Sequence, residues 1–435
     1  MDDLRIEYDN PQAVYFPGTT VTGRVIIQNR ETIKARHLRI CIHGGAHTHW
    51  TEYEQRRRRD AQGKEESYSE SIPYSARVDY LTGESMPWQS PDEKLPAGQH
   101  IFPFAFNLPL NCPPSFEGRF GCIRYMVHVE LDRPWRFNKK SKQCFTVIPA
   151  FDLNITPGAI NPMQSTTSKN TGLLFKKGVV NMTVNVPKRG FVPGETIPIT
   201  VLIDNGSKKP VVQVRAKLVQ ESTFYARRGS SNYYNDPFAV GYRHATHETK
   251  IDSKLVTENR RSLNVCAQTK DQVVLPLKLP AIVPSFNTCP IISTSYCLHV
   301  KIDTSSTFGS TIKAEFPIII GTIPIRHFVA PAGTTLPVPP PYSGAIPSAP
   351  SMPSGPSPSA PFDQPPPYQD GELSNASAPP PPSYEESMYG TAGTTKDSDD
   401  VEPFAPRYPV YNNLEDTHNT TPAGGAAPLP HKQPF

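Results

Sequence analysis

The sequence predicts an all-β body of two tandem antiparallel β-sandwich domains, followed by a disordered proline-rich C-terminal tail. Three observations carry this expectation. One pattern of residues occurs twice, in the same order, between residues 17 and 302. Within each copy, apolar and polar residues alternate between turn signals. Beyond residue 330 the composition changes: 25 of the 50 prolines lie in residues 331–435.

The repeat is read by direct alignment. Pro17-Gly18-Thr19-Thr20-Val21 through Val25-Ile26-Ile27-Gln28-Asn29 matches Pro193-Gly194-Glu195-Thr196-Ile197 through Val201-Leu202-Ile203-Asp204-Asn205, at a constant offset of 176. Further along, Leu108-Pro109 with Pro114-Ser115-Phe116 matches Leu279-Pro280 with Pro284-Ser285-Phe286. Tyr125-Met126-Val127-His128-Val129-Glu130-Leu131 then matches Tyr296-Cys297-Leu298-His299-Val300-Lys301-Ile302, at an offset of 171. Order is kept and loop lengths differ slightly, so one domain architecture is used twice.

Each copy reads as strands. A Pro-Gly turn precedes the β-branched run Thr20–Ile27. Leu38–Ile42 and Val212–Val219 alternate with a period of two, which places one face in a core and the other in water. Phe102-Pro103-Phe104-Ala105-Phe106 alternates too, and Pro103 favours an edge strand because it lacks a ladder donor. No helical run of more than about two turns competes with this pattern. Short strands with turn signals every 8–12 residues suit a sandwich. The expected divisions are a first domain over 1–150, a connector over 151–178, a second domain over 179–326 and the tail over 327–435.

Charge follows the same division. The chain carries a net +4, residues 331–435 sum to −8, and residues 1–330 therefore sum to +12. The tail is rich in Pro, Ser, Ala and Gly, with too little apolar surface to offset the entropy of ordering. No hydrophobic run approaches the ~20 residues that span a bilayer, and the start Met1-Asp2-Asp3 is acidic, so a cytoplasmic protein is expected. The seven cysteines contain no C-x-x-C pair and read as reduced thiols, not as a disulfide framework or a zinc site. The sequon Asn154-Ile155-Thr156 is then a chance match.

The tail holds Pro-Pro-x-Tyr three times: Pro339-Pro340-Pro341-Tyr342, Pro365-Pro366-Pro367-Tyr368 and Pro381-Pro382-Ser383-Tyr384. Proline sets φ near the polyproline II value, so such a segment is extended before it docks and loses little entropy in doing so. WW domains offer an aromatic-lined groove for proline-rich ligands of this kind. The expected contacts are Pro339, Pro340 and Tyr342, then Pro365, Pro366 and Tyr368, then Pro381, Pro382 and Tyr384. Each contact alone is small, but linkage raises the effective concentration of the next. The tyrosines are 26 and 16 residues apart, about 28 Å and 22 Å as flexible coil.

Ser115-Phe116-Glu117-Gly118-Arg119-Phe120-Gly121-Cys122-Ile123-Arg124-Tyr125, continuing through Val127–Trp135, resembles the signature of the α-arrestins, the arrestin-domain-containing proteins. Leu95-Pro96-Ala97-Gly98 with Phe102-Pro103-Phe104, and Asp152-Leu153-Asn154 at the junction, resemble that family as well. The likeness covers residues 1–325. It implies an arrestin N-domain and C-domain, each a curved β-sandwich, before a tail that recruits HECT-type ubiquitin ligases to membrane cargo.

Between the first two tail copies lie Pro347-Ser348-Ala349-Pro350 and Pro358-Ser359-Ala360-Pro361. Both match the late-domain tetrapeptide bound by the ubiquitin E2-variant domain of ESCRT-I, although a Pro/Ser/Ala-rich tail also makes such tetrapeptides by composition. Arg56-Arg57-Arg58-Arg59 falls in the polar stretch Thr51–Ser75, expected as a long inter-strand loop. It is either a solvated loop or a contact for anionic headgroups or acidic cargo tails.

Catalysis has no support in the sequence. It lacks a phosphate-cradling Gly-rich loop, a zinc helix and a nucleophile elbow. His43, His47 and His49 cluster around Gly44-Gly45, and His47 and His49 share a face on a strand; a solvated strand end is expected there, not a metal site. His128 and His299 occupy matching repeat positions and read as structural. The thioredoxin-interacting member of the α-arrestin family uses a C-domain cysteine, and Cys266 lies in that region, but Asn264-Val265-Cys266-Ala267-Gln268 matches it poorly.

The expected protein is a trafficking adaptor with no enzymatic activity and no cofactor. Its partners would be WW-domain HECT-type ligases, receptor or transporter cargo, ESCRT-I and an anionic membrane surface, without nucleic acid. It would act in endocytosis and endosomal sorting, peripherally at the plasma membrane and endosomes. The alternatives are a scaffold for ESCRT-dependent budding, a redox regulator of the thioredoxin-interacting type, and a retromer-like coat subunit, which would not need such a tail.

Overall fold

The computed structural model describes residues 3–59, 65–170, 178–228, 247–305, 311–326 and 404–411. Every regular element among them is a β-strand. The first half contains β1 (Asp3–Tyr8), β2 (Val14–Tyr15), β3 (Thr20–Asn29), β4 (Ile33–Lys34), β5 (His37–Arg59), β6 (Glu65–Gln89), β7 (Lys94–Leu95), β8 (Gly98–Asn107), β9 (Phe116–Gly118), β10 (Gly121–Leu131) and β11 (Lys139–Val147). The second half contains β12 (Met163–Asn170), β13 (Val179–Val186), β14 (Gly190–Phe191), β15 (Thr196–Asn205), β16 (Val211–Arg228), β17 (His247–Val265), β18 (Thr269–Lys278), β19 (Ile292–Thr304) and β20 (Thr311–Ile320).

Each half is a sandwich. In the first, the sheet β1-β3-β8 lies over the strands β6-β5-β10-β11-β2. In the second, β12-β13-β15-β18 lies over β14-β20-β19-β16, with β17 paired to β16. Alternation builds both cores. Ile123, Tyr125, Val127, Val129 and Leu131 of β10 are buried, as are Leu298, Val300 and Ile302 of β19. Pro103 lies on β8, the end strand of its sheet, as a residue without a ladder donor requires.

The repeat extends to individual hydrogen bonds. β3 and β15 have the same length at the 176 offset. The buried side chains of Asn29 and Asn205 close the loops after them: Asn29 Nδ2 donates to the Glu31 and Pro96 carbonyls, and Asn205 Nδ2 to those of Lys209, Val265 and Cys266. Ser115 Oγ accepts the Val147 N–H at 2.9 Å, and Ser285 Oγ accepts the Ile320 N–H at 2.9 Å. Tyr125 donates to the Pro113 carbonyl at 2.8 Å, and Tyr296 to the Val283 carbonyl at 2.6 Å. These bonds satisfy polar groups that burial would otherwise leave unpaired.

One expectation needs correction and two gain detail. The stretch Thr51–Ser75 is not a long loop: β5 and β6 pair outward to Arg59↔Glu65. Its Thr and Tyr residues suit a strand, and Arg56 Nε bridges to Glu70 at 2.7 Å across the pair. The hidden signal is explained by exposure, because outward of Ile72 the ribbon is wet on both faces and shows no apolar alternation. Second, part of the stretch expected as a connector forms β12, which pairs along β13. Third, within the tail expected to be disordered, Phe404–Tyr411 lies against the body, with Tyr408 packed on the main core.

Candidate functional site

All the tail residues expected to bind WW domains or ESCRT-I fall in residues 327–403 and lie outside the described residues. Of the arginine cluster, Arg56 and Arg57 are exposed on the β5 arm. Arg56 pairs with Glu54 and Glu70, and Arg57 with Glu65 at 3.8 Å. The arm is therefore a ribbon of mixed charge, not a bare basic loop. It also leans on the second half: Arg228 reaches Glu54 at 3.6 Å, Lys250 reaches Glu52 at 2.5 Å, and β6 meets β16 at Arg227↔Ser75.

The family-like stretch Ser115–Gly121 builds the seam between the two halves. Phe116 is 5.7 Å, edge-on, from Phe286, so the phenylalanines of the two Pro-Ser-Phe copies meet. Phe224 of β16 packs against Phe116 and Phe120 with ring centroids 6.1 and 5.8 Å away. A Cβ on Gly118 would collide with the Phe116 and Phe224 rings, and one on Gly121 with the His47 carbonyl oxygen. Glycine at these positions is what lets the aromatic cluster close. Thr48 adds a polar tie, donating to the Tyr225 carbonyl at 2.8 Å.

Beside this cluster, Glu117 and Arg124 form a bidentate pair, with Nε–Oε1 at 2.5 Å and Nη2–Oε2 at 2.8 Å. Arg124 is 8% exposed. Burial raises the Glu117 pKa, and Arg124 opposes that shift. Burial, with the Glu117 charge adding to it, pushes the neighbouring Cys122 thiol up to about 12, and burial pushes Cys144 up to about 11. Neutral thiols of this kind are poor nucleophiles at physiological pH.

His47 and His49 do share a face, their rings stacked 6.2 Å apart. His43 instead sits against Arg77 and Asp79. Burial first, and nearby positive charge next, lower the His43 and His47 pKa values. Among the described residues, the group of three whose donor atoms lie within 4.8 Å of one another is Cys297, His299 and Glu315, on the outer face of β19 and β20. There His299 Nδ1 already pairs with Glu315 at 3.2 Å, and burial raises the Cys297 thiol. Cys266 is exposed. No helix among the described residues is long and apolar enough to cross a membrane.

Two family profiles match the chain in the order of its two sandwiches. "Arrestin (or S-antigen), N-terminal domain" covers residues 4–154, and "Arrestin (or S-antigen), C-terminal domain" covers residues 176–325. The chain belongs to the α-arrestins, the arrestin-domain-containing proteins. It is 30% identical to the mouse arrestin domain-containing protein 4 over 325 residues, 74% of this chain and 71% of that protein. It is 28% identical to arrestin domain-containing protein 17 of Caenorhabditis elegans, with 74% and 71% covered. The mouse thioredoxin-interacting protein is 25% identical, with 73% of each chain covered. The arrestin fold now accounts for the repeat, and the arrestin signature accounts for the seam. This is an arrestin-type adaptor family.

The signature Ser115–Gly121 is legible as a string of residues, but its contacts are not. Which face of Ser115–Gly121 meets Phe224 and Phe286 depends on how the two halves dock, which no spacing along the chain reports. The Phe404–Tyr411 segment was hidden by its neighbours' composition. The one available signal was three aromatic residues, Phe404, Tyr408 and Tyr411, within eight positions of a tail otherwise short of large apolar groups.

Proposed function

We propose that this α-arrestin is a non-enzymatic trafficking adaptor that brings WW-domain HECT-type ubiquitin ligases to membrane receptors or transporters. The observation that carries this reading is the threefold Pro-Pro-x-Tyr series between Pro339 and Tyr384 on the same chain as the paired arrestin domains. The tail binds the ligase and the body engages cargo. Simultaneous engagement raises the local concentration of cargo lysines at the ligase, and the ligase supplies the chemistry. The chain acts peripherally at the plasma membrane and endosomes, promoting ubiquitination, endocytosis and sorting. The test is capture of WW-domain ligases by the full chain before and after Tyr342→Ala, Tyr368→Ala and Tyr384→Ala are combined. Loss of the ligase supports the adaptor; undiminished capture removes its mechanism.

A second reading rests on the two Pro-Ser-Ala-Pro copies. They give ESCRT-I a place on the same strip, and three residues separate Pro361 from Pro365 of the middle WW motif. The two machineries then compete at that copy. A peptide of residues 355–370 saturated by both partners at once contradicts the competition, and unchanged ESCRT-I recruitment after Ser348 and Ser359 are replaced returns the tetrapeptides to composition.

A further inference from the structure

The segment Phe404–Tyr411, Phe-Ala-Pro-Arg-Tyr-Pro-Val-Tyr, has no role in the reading above. It carries no Pro-Pro-x-Tyr and no Pro-Ser-Ala-Pro, yet it makes specific bonds to both halves of the body. On the first half, the Arg407 N–H donates to Thr146 Oγ1 at 3.1 Å and its guanidinium to the Gln12 carbonyl at 3.3 Å. The Tyr408 hydroxyl donates to the Ser115 carbonyl at 3.0 Å. On the second half, the Tyr411 N–H donates to the Pro193 carbonyl at 3.0 Å, and its hydroxyl to the Thr322 carbonyl at 2.6 Å.

The two tyrosines seat in different places. Tyr408 packs on the main core, where burial, with the Glu117 carboxylate adding to it, raises its pKa. Tyr411 packs against a small separate cluster of Leu153, Ala159 and Val192. The backbone of Tyr411 itself crosses the turn at Gly194, whose φ is +91°. A Cβ on Gly194 would overlap the Tyr411 carbonyl, so only a bare α-carbon lets the segment pass.

We propose that the seam between the two arrestin domains is a binding site for an extended peptide with two tyrosines spaced as in Tyr-Pro-x-Tyr, occupied in this chain by its own residues 404–411. Recognition uses two aromatic seats three residues apart and carbonyls or hydroxyls that face the peptide's donors. Proline at 406 and 409 holds the peptide extended in advance. A peptide from another protein with the same spacing binds only when the cis segment leaves. The proposal is independent of the WW-domain reading and survives if that reading fails.

The test uses the full chain and a fluorescent peptide of residues 402–413. Held by its linker, the cis segment acts at an effective concentration near millimolar, so it excludes micromolar peptide from the unaltered chain. Tyr408→Ala with Tyr411→Ala in the full chain empties the site, and the peptide then binds at least about tenfold more tightly than to the unaltered chain. The same peptide with both tyrosines replaced by alanine binds neither. Equal binding of the tyrosine peptide to both chains, or to neither, overturns the proposal. Hydrogen exchange on the unaltered chain guards against a variant that does not fold. The Arg407 and Tyr411 amides exchange at least about tenfold more slowly than in the free peptide; free-peptide rates there overturn the proposal without any variant.

Discussion

At the Pro17-Gly18 turn of the first half, the space over the glycine is filled by Leu110 of the same domain. At the matching Pro193-Gly194 turn of the second half, it is filled by Tyr411 from far along the chain. The halves diverge in a second way. Glu117 and Arg124 make a buried ion pair in the first half, and the matching positions of the second half hold Asn287 and Ser295. Where the halves agree, as at Ser115 and Ser285, the residues close a sandwich. Where they differ, Glu117 and Arg124 lie beside the aromatic cluster and Gly194 lies against Tyr411. The repeat thus explains the two sandwiches, and the seam combines shared residues, Phe116 and Phe286, with departures such as Glu117 and Arg124.

The comparison breaks most easily at the aromatic cluster. Phe224 is fully buried and holds Phe116 and Phe120 from the other half. Phe224→Ala is expected to cost about 3–5 kcal/mol in urea unfolding. A loss below about 1 kcal/mol, within the range of an exposed-surface substitution, contradicts a packed seam.

Next comes the ion pair. Arg124→Met leaves Glu117 mostly buried and without this partner, and is expected to cost about 3 kcal/mol at pH 7. Its pH dependence has a definite sign. The folded-state pKa of Glu117 is already raised by burial, and loss of Arg124 raises it further. A group raised in this way favours the folded state when protonated and loses that contribution as pH rises through its folded value. The deficit of the variant therefore shrinks as pH falls from about 7 towards about 5. A deficit independent of pH contradicts the assignment to Glu117.

A matched pair of variants sharpens the comparison from the side of likeness. Ser115→Ala and Ser285→Ala each remove the acceptor of a strand N–H at 2.9 Å. Each is expected to cost about 1–2 kcal/mol, and the two costs should agree. A marked inequality shows that the repeat is alike in geometry but not in energy. The smallest effect lies on the exposed arm. Arg56→Ala removes ion pairs at 3.5 and 2.7 Å and is expected to change stability by less than about 1 kcal/mol.

Legibility in the sequence follows burial. Strands with one buried face, such as β3, β10, β15 and β19, show their alternation and were open to reading. The β5–β6 arm beyond Trp50 and Ile72 is wet on both faces, so its pairing leaves no apolar period and looks like a loop. The seam signature was recognisable as a string of residues, but the Phe116–Phe286 contact joins positions 170 apart. Phe404–Tyr411 carries its message in two aromatic rings whose seats come from Ser115, Pro193 and Thr322. The tail motifs are the opposite case: under the proposed adaptor reading each would dock as a short extended peptide, so its sequence alone would carry the contact.

The adaptor account stands most directly on a calorimetric titration of a tandem WW-domain ligase fragment into the full chain, with three, two, one or none of Tyr342, Tyr368 and Tyr384 intact. It predicts affinity that falls at each removal, by about tenfold or more from three copies to one because linkage is lost, and no binding with none. Binding by the triple variant within about twofold of the unaltered chain, far short of the drop that lost linkage requires, would contradict it.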